Sequence, residues 1–284
     1  MSDENTMVPN WMRILLLLLS GASFFPQLGR LYSRGDSSGI SRYYMLCNLI
    51  SATEQLTLAL ALLVNTGDDG GSDFFLHNPL TLGDRLNIAQ LAVVWALSLV
   101  VFLLCLYYPS THRDASNSQA TAIYTSFLLL SLLPALALLW TPPADREDRR
   151  RLPALFHGLH SLWLSPLVTL LGLAAAFFQL REMREPHGSS PGRSALSLVG
   201  LAAQAVTFAV VAVSWALRVV FPWSDIPADA RLGLGFFGSW YQLVGWAAVD
   251  NGVFALVQGV VWCAAMRRIG GVGSGEGERE PLIR

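Results

Sequence analysis

Seven runs of about twenty apolar residues, separated by short polar links, set the layout of this chain. They are Trp11 to Arg30, Tyr43 to Val64, Asn87 to Tyr108, Ala120 to Trp140, Leu155 to Leu180, Ala195 to Phe221 and Leu234 to Met266. A helix needs about 20 such residues to cross the hydrocarbon of a bilayer, so the pattern predicts seven transmembrane helices. The longest link, Asn65 to Arg85, carries Gly67-Asp68-Asp69-Gly70-Gly71 and reads as a loop. Within the first run, Phe24-Phe25-Pro26-Gln27-Leu28-Gly29-Arg30 interrupts the helix, because Pro26 lacks a backbone donor and clashes with the preceding turn. Irregular backbone at membrane depth persists only where it is buried in protein or lines a cavity. Pro134 and Pro166 predict kinks in the fourth and fifth helices.

Composition places the chain in the same class. Hydrophobic residues make up 53% and charged residues 14%, with a mean hydropathy of +0.45. Soluble domains carry about 25% charged residues, so this is an integral membrane protein. A net charge of -1 gives nucleic acid no basic patch to bind. All 19 basic residues are Arg, which excludes a retinal Schiff base, since that needs a lysine. Cys47, Cys105 and Cys263 lie in apolar runs and read as small buried hydrophobes, forming neither a disulfide framework nor a metal site. The run Ile14 to Leu19 resembles a secretory signal, but Asp3 and Glu4 precede it and cleavage would remove the Pro26-Gln27 helix, so the segment is read as retained.

Charge also sets the predicted orientation. The links after helices one, three and five, together with the C-terminal tail, hold eleven Arg and seven acids; the other side holds eight Arg and eleven acids. The positive-inside rule then puts the C-terminus in the cytosol and the N-terminus in the lumen or outside. Arg146, Arg149, Arg150 and Arg151 on the other side, offset by Asp145, Glu147 and Asp148, read as a solvated linker. Trp11, Trp140, Trp223 and Trp240 fall near predicted helix ends, where an interfacial belt is expected.

The break in helix one has an echo about 150 residues on, in Phe177-Phe178-Gln179-Leu180-Arg181 followed by Gly192-Arg193-Ser194. Aligning Gln27 with Gln179 sets Gly39 and Ser41 against Gly192 and Ser194 after one inserted residue. Gln90 to Trp95 likewise resembles Gln258 to Trp262. Helices one to three and five to seven therefore read as related triplets facing the same way, with helix four as a tether. This is an all-α integral membrane fold of two parallel three-helix bundles joined by a connecting helix, 3+1+3. Its expected parts are residues 1–108, the connector 109–152, a second bundle at 153–268 and a disordered cytosolic tail at 269–284.

On Pro26-Gln27 and Ser37-Ser38-Gly39-Ile40-Ser41, the chain resembles the PQ-loop proteins, which include cystinosin and vacuolar or lysosomal cationic amino-acid exporters and, more distantly, the SWEET sugar transporters. The second motif departs from the family pattern, since Phe178 stands where its proline would be and only Gln179 remains. The resemblance implies transport by alternating access, with the proline as hinge. The same architecture is similar to the KDEL receptors, so a non-transporting receptor or signalling scaffold is the alternative.

Ionisable groups inside a bilayer are expensive and mark function by default. Asp250, about ten residues into a run of Trp, Gly and Val, is the leading candidate to take a proton from an acidic lumen and release it to the cytosol; the other reading is a permanently paired residue that glues helices. Glu54 in helix two is either a partner proton site or placed to reach water, and Gln55 projects from a different face. Asn87 and Gln90 share a face of helix three, and with Asp250 and Asn251 they make the expected substrate cavity; an interfacial role at the helix start is the other reading of Asn87. His157 and His160, at the start of helix five, read as amphipathic surface rather than metal ligands. With no nucleophile-base pair and no metal spacing, an enzyme is not expected, and neither is a cofactor.

Residues Gly270 to Arg284 are glycine-rich and polar and are expected not to fold. They end in an acidic dileucine-like pattern, Glu278 followed by Leu282 and Ile283, of the kind that clathrin-adaptor machinery reads on lysosomal and vacuolar proteins. The expectation is thus a vacuolar or lysosomal exporter of a small polar solute. An amino acid, cationic by preference, or a sugar-like molecule is the expected cargo, with a proton as the possible co-substrate.

Overall fold

The computed structural model describes residues 7–65, 76–77, 79–109, 115–140, 146–184, 194–219 and 234–275. Among them there is no strand, and seven helical stretches are long and apolar enough to cross a membrane: Asn10–Arg34, Arg42–Val64, Leu82–Tyr107, Asn117–Trp140, Arg151–Arg184, Leu198–Arg218 and Trp246–Ile269. The protein is all-α and fits a multi-pass membrane protein. Its outward surface agrees, since Leu18, Leu130, Leu167, Leu170 and Val206 are all exposed on the outer helix faces. An apolar belt on that scale would be an aggregation hazard in water, whereas lipid solvates it.

In chain order the elements are α1 (Asn10–Ala22), α2 (Phe25–Arg34), α3 (Arg42–Asn65), α4 (Leu82–Tyr107), α5 (Ala115–Leu130), α6 (Leu132–Trp140), α7 (Arg146–Leu159), α8 (Ser165–Arg184), α9 (Leu198–Arg218), α10 (Leu234–Trp240) and α11 (Trp246–Gly275). A π turn, His160–Leu164, joins α7 to α8, and another, Tyr241–Gly245, joins α10 to α11.

The first span is broken at Ser23–Phe24, and Pro26 becomes the second residue of α2, where a missing N–H leaves no bond unmade. α8, which carries the sequence echo, runs through Phe178 and Gln179 without a break, in keeping with the absence of a proline there. The kink ahead of Pro134 is a break at Ser131, between α5 and α6. Ahead of Pro166 the ladder widens to π spacing, with the Ser165 N–H donating to His160 C=O. The π turn at Tyr241 has no proline. Gly245 closes it because the Trp240 ring lies where a Cβ would be.

Several boundaries differ from the sequence expectation. The third span starts at Leu82 rather than Asn87, because Thr81 and Asp84 form a reciprocal cap: the Asp84 N–H donates to Thr81 Oγ1 (3.2 Å) and the Thr81 N–H to Asp84 Oδ2 (2.9 Å). Arg146 to Arg151, expected as linker, form the first turns of α7, in keeping with the helix propensity of Arg and Glu. At the other end α11 continues to Gly275, past the Gly270 where order was expected to stop; extending a long helix by a turn needs no new nucleus.

The second span is the axle. Every residue from Leu46 to Ala61 is buried, because α3 packs on α4, α5, α6, α7, α8 and α11. Among the first three spans, α1 packs on α4 and α4 on α3; among the last three, α8 packs on α11 and α11 on α9. Between these groups α3 meets α8, while α1 and α2 meet α9. Cys47 and Cys105 are buried as expected. Cys263 instead faces outward on α11.

Candidate functional site

Gln27 and Gln179 are both buried, and each holds the extended segment that precedes a helix on the other side of the molecule. Gln27 Nε2 donates to Ala195 C=O (3.1 Å), and its Oε1 accepts the Ser197 N–H (2.7 Å). Gln179 Nε2 donates to Gly39 C=O (2.8 Å), and its Oε1 accepts the Ser41 N–H (2.9 Å). The segments also touch directly, through the Ala195 N–H to Ser38 C=O (2.9 Å), and Arg30 donates twice to Ser194 C=O (3.2 and 2.8 Å). Gly39, at φ 81°, is required here on two counts, since that backbone conformation disfavours other residues and a Cβ would strike Ser194.

These bonds correct the sequence alignment. The partners of Gly39 and Ser41 in the reciprocal pattern are Ala195 and Ser197, four residues beyond a gapless match, and not Gly192 and Ser194. Gly192 itself lies outside the described residues. What the motif's glutamine does is pair with backbone: an extended dipeptide presents one C=O and one N–H, and a primary amide satisfies both.

Next to this double clamp lies a cavity of about 30 Å³. That is space for about two waters. Its polar lining is Gln27, Tyr44, Asn48, Ser98, Gln204 and Gln258, drawn from the first, second, third, sixth and seventh spans. The Tyr44 hydroxyl donates to Gln258 Oε1. None of the expected cavity residues lines it. The four that were grouped together divide into separate clusters, with no hydrogen bond between the Asn87–Gln90 pair and the Asp250–Asn251 pair.

The first cluster lies between α3, α8 and α11. Glu54 is fully buried and pairs with His160, whose Nδ1 sits 2.8 and 3.0 Å from the two carboxylate oxygens. Phe156 packs on the His160 ring, with centroids 4.2 Å apart. The expectation of an exposed histidine is therefore wrong for His160, because the π turn that begins there points its ring inward to α3. His157 is half-buried. Asp250 is also buried and accepts from Thr169 Oγ1, which contacts the Tyr241 hydroxyl (2.6 Å), itself 2.9 Å from Ser165 Oγ. Asp250 Oδ2 has no hydrogen-bond partner. Asn251 turns to α3, donating to Gln55 Oε1 (2.9 Å) and to Ala247 C=O (2.6 Å). Gln55 and Glu54 do leave α3 on different faces, one to the seventh span and the other to the fifth.

The second cluster joins α4 to the end of α9. Asn87 and Gln90 accept from a residue that sequence reasoning passed over: Arg218 Nη1 donates to Asn87 Oδ1 (3.1 Å) and Gln90 Oε1 (2.6 Å). Gln90 Nε2 donates to Ser20 Oγ (2.9 Å). Asn87 is 1% exposed, so it is packed inside the protein. The signal for Arg218 was present as an arginine closing an apolar run; the lone amides Asn48, Gln204 and Gln258 likewise stood inside apolar runs. Glu278, Leu282 and Ile283 lie outside the described residues.

Compared with family models, curated proteins and solved structures, the chain matches none.

Proposed function

We propose that this protein is a PQ-loop-type transporter that moves a small polar solute out of an acidic organelle by alternating access. The observation that carries this reading is the polar cavity between the first and last spans, closed at one end by reciprocal glutamine clamps in which Gln27 is both wall and latch. Side chains from both groups of helices face one another there, so sliding one group against the other widens the cavity at one end. On this reading a cavity of about 30 Å³ would belong to a closed state, and loading requires the helices to part. The break at Ser23–Phe24 lets the Pro26 segment swing, and the unbroken α8 confines that hinge to the first half.

Coupling falls to the buried carboxyl groups. One imidazole, His160, accompanies two carboxyls, Glu54 and Asp250, on helices in contact. A carboxylate without a cation is costly inside a bilayer, and a proton removes that cost. Proton binding at Asp250 would therefore favour whichever state buries it, which is what an ion-coupled switch needs. In the orientation given by the Arg asymmetry, the clamps face the cytosol and the solute loads from the lumen. The amino acid favoured is cationic, since its positive end could pair with the buried Glu54 or Asp250, and a sugar-like solute is the next choice.

The test is flux from liposomes holding the purified protein, acidic inside, across amino acids and small sugars, repeated with Asp250→Asn. Acid-stimulated efflux of one solute class, lost in the variant, is the expected result. Should the folded protein move nothing in the panel, transport is refuted, and a receptor or scaffold working through the C-terminal tail takes its place.

A further inference from the structure

Arg218 is 3% exposed at the far end of α9. Among the described residues no carboxylate lies within ion-pair distance of it, and the charged side chain that acts on it electrostatically is Arg13, another cation. Only Nη1 is used, by Asn87 and Gln90; Nε and Nη2 are buried with no hydrogen-bond partner. A helix-packing residue of this size would be better served by leucine or methionine, because a buried unpaired charge costs several kcal/mol. The guanidinium is nevertheless held firmly. The Trp215 ring lies 4.8 Å from Cζ, and Gln90 is fixed in turn by Ser20, whose hydroxyl donates to Leu16 C=O (2.7 Å). Every bond in this chain runs one way, from donor to acceptor, so no acceptor is left over for the free edge.

The geometry points to a carboxylate seat at this end of the molecule, formed by the Nε and Nη2 edge of Arg218, with Asn87 and Gln90 as positioning residues. That edge carries two parallel N–H vectors in the spacing of a carboxylate's two oxygens, which a spherical ion cannot engage equally. The seat is about 30 Å along α9 from the clamp at Ser197, taking 1.5 Å per residue, and so lies at the opposite mouth of the route. For the identity of its ligand the inference rests on the transport reading, where an amino acid would present its α-carboxylate to Arg218 and its cationic groups to Glu54 and Asp250. The seat itself is a binding property and is tested without flux.

The full-length protein in a neutral detergent, with methanesulfonate as the only bulk anion, is titrated with acetate and glycine, and with their uncharged-end analogues methyl acetate and glycinamide. Thermal unfolding reports binding, since a ligand of the native state raises the midpoint in a saturable way. Acetate and glycine are expected to raise it, and methyl acetate and glycinamide to leave it unchanged. Arg218→Lys keeps the charge but loses the fork, and is expected to weaken acetate at least tenfold. Asn87→Asp supplies an internal carboxylate of nearly the same shape at Nη1, neutralises the guanidinium, and is expected to weaken the acetate response while raising the ligand-free midpoint. Equal responses to acetate and methyl acetate, or an undiminished response in Asn87→Asp, would overturn the proposal. Chloride or inorganic phosphate matching acetate would overturn the carboxylate assignment. Acetate binding without any flux would remove transport and leave the seat, whereas flux that survives in Asn87→Asp with acetate binding never seen would do the reverse.

Discussion

Replacing Gln27 with leucine removes one of the two clamps and leaves Ala195 C=O and Ser197 N–H buried without their partner. Each hydrogen bond contributes about 1 kcal/mol net, so the pair contributes about 2 kcal/mol. If the clamp exists only in the state closed at this end, that state alone is destabilised, and the closed-to-open ratio falls about thirtyfold, at 1.4 kcal/mol per factor of ten. Hydrogen exchange reads this directly, because the Ser197 N–H is a donor in the clamp. Mass-spectrometric exchange on peptides covering 194–201 should accelerate by about thirtyfold in Gln27→Leu. Peptides covering 37–45 should also speed up, though less, since Ala195 N–H ties the two segments together at Ser38. The reciprocal variant, Gln179→Leu, should reverse the ranking. Unchanged exchange at 194–201 in a folded Gln27→Leu protein would refute the latch.

His160→Leu strips the hydrogen-bond partner from a fully buried Glu54 and should cost about 3 kcal/mol in detergent unfolding, while the double variant Glu54→Leu with His160→Leu should recover most of that; additive losses would mean that the two residues do not act as a pair. Glu54→Gln keeps shape and a hydrogen bond and should cost less than His160→Leu. Replacing Leu282 and Ile283 with alanine should send the protein to the cell surface, as seen by microscopy of a tagged chain, and unaltered sorting would discard the tail signal.

Much of this was legible in the chain because it depends on local chemistry. Apolar run length alone yields the seven spans, and proline chemistry alone yields the break before Pro26. The burial of Asp250 accords with its place inside an apolar run. Partners were harder. Glu54 and His160 are 106 residues apart and meet only because the second span packs on the fifth, which no periodicity reveals. The Gly39 alignment failed because the link before α9 is longer than the one before α3, and only the hydrogen bonds set the register. Arg218 stands at the last residue of its helix, where an arginine normally extends to the interface, so its burial could not be told from its position. The cavity residues were missed for the opposite reason: amides such as Asn48 and Gln204 are weak signals singly and acquire meaning only when five spans converge on them.

Alternating access at this cavity is tested most directly by asking from which side it can be reached. With Cys47, Cys105 and Cys263 replaced by alanine, Asn48→Cys places one thiol in the cavity wall, and membrane-impermeant thiol reagents are applied to either side of sealed vesicles. A protein that opens alternately to both sides exposes that thiol to reagent from each, and Gln27→Leu raises the rate from the clamp side. Labelling confined to one side, or none at all in a chain that keeps its helical content, would contradict it.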